Sequence, residues 1–251
     1  MKKDAMVLID PQYDFCDKHG TFYVEGATRD MFNASLFLRR HKHRFGFVGL
    51  TGDDHNYTHI SHAAFWLNEK YTNPFPFQVI TSQDVKEGKW IPTRDFEYVV
   101  NYLEKIEALG KQHQIWPTHC CAGTLGSNFV SEVITAVNEW EVKNKLSATV
   151  LHKGNLWYAE QLSPFSLATG EFINTSFVDE LKNYGMKYFA GEAYSHCLKL
   201  AIIDAVNLGI PANEITVLTN CTSPIAGCDM TDFEEEYKAK GMRFCETSEI
   251  G

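Results

Sequence analysis

The chain reads as an α/β protein, a three-layer fold with a mainly parallel six-stranded sheet and helices on both faces. Short runs rich in Val, Ile, Leu and Phe alternate with stretches of 3.6-residue apolar period along the sequence. Repeated strand–helix alternation of this kind builds a parallel sheet covered on both faces. No internal repeat, low-complexity tract or linker interrupts it, so residues 1–251 are expected to form one domain.

Taken in order, Ala5–Ile9 is a continuous apolar run and reads as a buried strand. A helix follows over Asp30–Arg40, with Met31, Leu36 and Leu38 among its apolar residues. Phe45–Leu50 is the second strand and ends in Thr51-Gly52-Asp53. Phe96, Val99, Val100, Leu103, Ile106 and Leu109 follow the helical period and predict a helix over Arg94–Leu109. Phe129, Val130, Val133, Ile134 and Val137 predict another over Ser127–Trp140. The remaining elements are strand Ala148–Leu151, helix Ser176–Asn183, strand Lys187–Ala190 and helix Cys197–Leu208. Strand Ile215–Leu218, helix Thr231–Ala239 and strand Met242–Cys245 close the chain. The stretch at about 56–114 reads as an elaborated insertion holding one or two helices.

Hydrophobic residues make up 44% of the 251 and charged residues 22%, which supports a packed core. The formal net charge of -9 argues against non-specific nucleic-acid binding. No run of 18 apolar residues predicts a membrane span. The basic start Met1-Lys-Lys is followed by too short an apolar stretch for a signal peptide. Seven cysteines without a dense framework fit reduced thiols and a cytoplasmic location.

Ligands gather beyond the carboxyl ends of strands in such folds, so polar residues there carry the functional argument. Cys197 follows the run Tyr188–Ala190 and Gly191 and precedes a helical pattern. A thiol at a helix start is expected to have a lowered pKa, with backbone N–H groups beside it to hold an oxyanion. Asp10 and Lys153 end two other strands in the same way. Together they supply a nucleophile, a proton acceptor and a cation. A second cluster comes from Asp53 and His55, two apart after a strand and so on one side of an extended chain, and from His119. Two imidazoles and a carboxylate suit Zn²⁺, Fe²⁺ or Mn²⁺ with open positions. Asp54, His59 and His62 are alternatives close by.

Four segments in one order then carry a resemblance: Leu8-Ile-Asp-Pro-Gln-Tyr-Asp-Phe-Cys16; Thr51-Gly-Asp-Asp-His55 with His59-Ile-Ser61; Trp116-Pro-Thr-His-Cys-Cys-Ala-Gly-Thr124; and Lys153-Gly154 with Gly191-Glu-Ala-Tyr-Ser-His-Cys197. The chain resembles the isochorismatase-like cysteine hydrolases, and among them most closely the nicotinamidases. The resemblance implies Cys197 as nucleophile, Asp10 as proton acceptor and Lys153 as the cation between them. It implies a divalent metal (Zn, Fe or Mn) on Asp53, His55 and His119, with His59 at a position that some members use as a further ligand. It implies a cis peptide at Glu192–Ala193 and an oxyanion hole from the N–H groups of Ala193 and Cys197. Phe15 and Trp116 match positions that sandwich a planar ring, and Leu162 and His196 complete the expected substrate pocket. The implied reaction is hydrolysis of nicotinamide to nicotinate and ammonia through a thioester. The partner is then a small carboxamide, with no nucleic acid or membrane, and the protein is expected to be a homo-oligomer.

Departures from the family pattern bear on substrate. Leu162 stands where a tyrosine is common, Glu192 replaces an apolar residue, and Ser195 stands where aspartate is frequent. Another carboxamide or ureido hydrolase of the same superfamily is therefore the alternative enzyme. A catalytically silent binding protein on this fold is the alternative of a different class. Intact Asp10, Lys153 and Cys197 weigh against it.

Overall fold

The computed structural model describes residues 2–251. In chain order the elements begin β1 (Asp4–Ile9), α1 (Tyr13–Cys16), α2 (Ala27–His41) and β2 (Phe45–Asp53). The next segment holds β3 (Trp66–Leu67), β4 (Val79–Ile80), α3 (Ser82–Lys86), β5 (Ile91–Pro92), α4 (Phe96–Ala108) and β6 (His113–Gln114). Then come α5 (Ser131–Asn144), β7 (Thr149–Lys153), α6 (Thr175–Leu181), β8 (Lys187–Gly191) and α7 (Lys199–Asn207). The chain finishes with β9 (Ile215–Leu218), α8 (Thr231–Ala239) and β10 (Arg243–Cys245).

Six strands form one sheet in the order β10-β9-β8-β1-β2-β7, and every pairing is parallel. Alternation along β1 explains how both faces are used. Met6 and Leu8 pack with Met31, Leu38, Val133 and Trp140 of α2 and α5. Ala5, Val7 and Ile9 pack with Phe177, Leu181, Ala201 and Ile202 of α6 and α7 on the other face. Among the described residues, no helix is long and apolar enough to cross a membrane.

Residues 56–114 contribute two short antiparallel ribbons, β3-β5 and β4-β6, beside helices α3 and α4. They carry a core of their own in which Phe65, Trp66, Ile80, Val85, Leu103 and Ile106 are buried together. Thr81 caps α3 with a capping box: its hydroxyl accepts from the Asp84 N–H and the Asp84 carboxylate accepts from its own.

Several boundaries differ from the periodicity, two of them close to the strand ends that carry polar residues. The helix expected from Ser127 begins at Ser131, because Phe129 lies in extended chain bridged to Gln12 and Val130 precedes the first turn. Tyr194–Leu198 form a π-helical turn, and the α-helix starts only at Lys199. Cys197 thus sits inside a wide turn and not at the first position of the helix.

Candidate active site

Four strand ends bring the chemistry together. β2 and β7 pair Asp53 directly with Lys153, so both side chains leave the sheet on one face. Lys153 Nζ lies 2.5 Å from Asp53 Oδ1 and 2.9 Å from Asp10 Oδ2. The same ammonium is 3.7 Å from Cys197 Sγ. Asp10, Asp53 and Cys197 offer polar atoms within 4.8 Å of one another, all buried. Asp10 Oδ1 accepts a hydrogen bond from the Thr51 hydroxyl at 2.6 Å.

Two carboxylates against one ammonium set the electrostatics. Burial pushes Asp10 above the usual aspartate range, and the attraction of Lys153 offsets this only in part. Burial opposes ionisation of Asp53 too, but Lys153 and His55 outweigh it and hold that carboxyl well below its ordinary value. For Lys153 the charges of Asp10 and Asp53 overcome burial and keep the ammonium protonated. Burial raises the Cys197 thiol well above its ordinary pKa; Lys153 lowers it, but Asp10 and Asp53 raise it again. The lowered thiol pKa expected from a helix start is therefore reversed. The resting group is a thiol beside the buried Asp10 carboxyl.

The turn that carries Cys197 depends on Gly191. Its φ is +117°, and a Cβ there would stand 1.9 Å from the Ile9 carbonyl oxygen. The Glu192–Ala193 peptide is cis. The Glu192 N–H donates to Ile9 O at 2.8 Å, and the Tyr194 N–H to Ser223 O at 2.9 Å.

Beyond Asp53 lies a cluster of imidazoles. His55 Nδ1 donates to Gly154 O at 2.9 Å, and His119 Nδ1 donates to Pro117 O at 2.6 Å, tautomers assigned from these partners. Each ring then presents Nε2 to Asp53 Oδ2, at 3.5 and 3.6 Å. Those separations are too long for hydrogen bonds. Burial opposes the charge on His55, but Asp53 outweighs it and raises that imidazole's pKa, so its Nε2 offers an unshared pair once that proton is lost. His62 joins them: both its ring nitrogens are buried without a partner. Ligand atoms of His55, His62 and His119 lie within 4.8 Å of one another. Burial, with the neighbouring imidazoles, pushes His62 down to about 2, so it is neutral. Such a donor set fits a divalent cation, and the carbonyl partners of His55 and His119 are those that orient metal-binding imidazoles.

His59 does not join the cluster. Its Nε2 donates to Ala159 O at 3.1 Å and its Nδ1 accepts from the Ser61 N–H at 3.2 Å, which leaves no free pair for an ion. The position that would supply a further ligand is here a structural histidine.

A cavity opens onto this group. Phe15, Trp116, Leu162, Ala193, His196 and Cys197 line it, with Asp53, His55 and His119. Phe22 also lines it and lies 5.7 Å from Trp116 and 5.2 Å from His119 between ring centres. Glu160 contributes a buried carboxylate that accepts from Trp116 Nε1 at 2.9 Å. Burial would neutralise it, but the charges and hydrogen bonds around it, His55 first, keep it below the usual glutamate value.

Several residues that hold the site were not assigned roles from the sequence. Gln12 accepts from the Asp53 N–H at 2.7 Å and donates to the Asp53 carbonyl at 2.7 Å. Asp14 Oδ2 accepts from the Cys120 N–H at 2.7 Å, next to His119. The signal for both lay in Asp-Pro-Gln-Tyr-Asp, a polar run too close to a buried strand to be solvated. Phe22, in irregular chain, had no periodic signal.

The six-stranded parallel sheet covered by helices on both faces is the isochorismatase-like fold. An isochorismatase-like hydrolase from Alkaliphilus metalliredigens superposes with TM-score 0.56 at 12% identity, covering 99% of this chain and 96% of that one. The chain is also similar to the nicotinamidase of Saccharomyces cerevisiae, at 22% identity over 247 residues, 95% of this chain and 97% of that protein. The pyrazinamidase of Pyrococcus horikoshii, solved in complex with zinc, superposes with TM-score 0.63 at 18% identity, covering 97% and 99% of the two chains. No protein-family model matches the chain.

Proposed function

We propose that the protein is a metal-containing cysteine amidohydrolase that converts nicotinamide to nicotinate and ammonia. The observation that carries this is the buried Asp10–Lys153–Cys197 cluster opening into an aromatic-walled cavity with Asp53, His55 and His119 at its end. The similarity to the yeast nicotinamidase supports it.

In this reading Phe15 and Trp116 sandwich the ring, while Leu162 and His196 close the pocket around it. Cys197 Sγ attacks the carboxamide carbon as Asp10 takes the thiol proton. The N–H groups of Ala193 and Cys197 donate to the developing oxyanion. Asp10 then returns the proton to the departing nitrogen, which leaves as ammonia and a thioester on Cys197. Water gives a proton to Asp10 as it attacks the thioester; the acid is released and the thiol is re-formed. Lys153 holds both carboxylates in position and stabilises the thiolate that forms during attack. Asp53, His55 and His119 would hold a divalent ion, which would supply a Lewis-acidic position to orient the pyridine ring.

The test is ammonia release across nicotinamide, pyrazinamide, carbamoylsarcosine and ureido compounds. Nicotinamide should be turned over, and Cys197→Ala should lose at least about 10³-fold in kcat with an unchanged circular dichroism spectrum. Full activity in that variant would sink the nucleophile assignment. Leu162 favours a second reading, another carboxamide or ureido substrate, because it leaves the pocket without a tyrosine hydroxyl. Preferred turnover of such a compound would establish that reading, and binding without any turnover would point to a silent binding protein.

A further inference from the structure

We infer that His62 is a protein ligand of the metal, so that this chain holds its ion with three imidazoles and one carboxylate. The inference rests on the metal reading above and adds a residue to it.

Donor accounting leads there. Asp53 Oδ1 is committed to Lys153 at 2.5 Å, so the carboxylate has one oxygen to offer. His59 has both nitrogens engaged. Two imidazoles and one oxygen would remain, from His55, His119 and Asp53. His62 stands beside them with ring centres 4.9 Å from His55 and 5.3 Å from His119. It is fully buried, and neither nitrogen has a hydrogen-bond partner among the described residues. A neutral imidazole always carries one N–H and one unshared pair, and burying both unmet is costly. An ion accepting the unshared pair removes one of those costs.

Metal–imidazole bonds of about 2.0–2.1 Å put neighbouring donor atoms about 3–4 Å apart. The observed limit of 4.8 Å among the three histidines closes to that spacing by small side-chain rotations. Backbone bonds keep His62 in place: its N–H donates to His59 O at 2.9 Å, and the Trp116 N–H donates to Ser61 O at 2.8 Å. The residue thus comes from the 56–114 segment, and the same short bridge ties it to the chain leading to His119.

X-ray absorption of the zinc-loaded full chain, with competitive chelator titration, tests this. The wild type should show three imidazoles per zinc, and His62→Phe two, with zinc affinity lowered at least about 10-fold. His62→Gln serves the same comparison if the phenylalanine does not fold. Two imidazoles in the wild type would overturn the assignment, as would an unchanged affinity and count in the variant. Absence of zinc binding by the wild type would instead overturn the metal reading on which it stands.

Discussion

At the scale of single residues, the site is governed by one ammonium facing two carboxylates. Asp10 must be ionised to take the thiol proton, yet burial raises its pKa. The Thr51 hydroxyl, 2.6 Å away, favours the anion. Removing it in Thr51→Val should raise the Asp10 pKa further, so the acid limb of kcat/KM moves to higher pH. A hydrogen bond to a charged group contributes about 1.5–3 kcal/mol, and about 1–2 pH units are expected. A pH–rate profile with an unmoved acid limb would show that Asp10 is not the titrating base. Glu192 poses the opposite problem. It is fully buried, Oε1 has no partner, and burial with the nearby Asp30 charge raises its pKa well above normal. An acid whose folded pKa is raised destabilises the fold as pH rises from its unfolded pKa towards the folded one. Glu192→Gln should therefore match wild type in thermal stability near pH 5 and exceed it near pH 8. Equal melting temperatures at both pH values would contradict the buried neutral carboxyl.

Among the elements, the strand ends explain what could be read in advance. Asp10 and Lys153 stand out in the sequence because each closes an apolar run, but a charge there is as often a cap or solvated loop residue, and only the structure shows the two buried against each other. The π-helical turn at Tyr194–Leu198 was not legible, because its side-chain spacing over five residues does not differ visibly from a first helical turn. His59 stands where some members of the resembled family have a further ligand, but here its ring turns to the Ala159 carbonyl, which no sequence pattern reports. Gly154 shows how tightly the loop after β7 serves the imidazoles. It has φ +75°, and a Cβ would approach His55 Cε1 to 2.4 Å. Gly154→Ala should displace His55, cost about 1–2 kcal/mol from the left-handed backbone, and weaken zinc binding. Chelator competition that finds wild-type affinity in this variant would show that His55 does not hold the ion.

For the molecule as a whole, residues 56–114 matter most. Their length was visible in the sequence, but their packing was not. Periodicity reports one helix face at a time, whereas Phe65, Trp66, Trp90 and Ile115 meet from short ribbons and turns. The end of the sheet supplies Asp53 and His55, this segment supplies His62, and the chain after it supplies His119. An ion held by these groups cross-links the segment to the sheet edge, so its free energy of binding adds to the stability of the folded state. At free zinc about 100-fold above its dissociation constant, the gain is about 2.7 kcal/mol. A chain of this size converts that to about 5–10 °C in melting temperature. Stripping the metal with a chelator should lower the melting temperature by that amount and open residues 56–114 to protease before the sheet. Because a structural contribution is independent of catalysis, Cys197→Ala should show the same zinc-dependent shift. Melting curves that ignore zinc in both proteins would mean that no ion bridges the segment to the sheet.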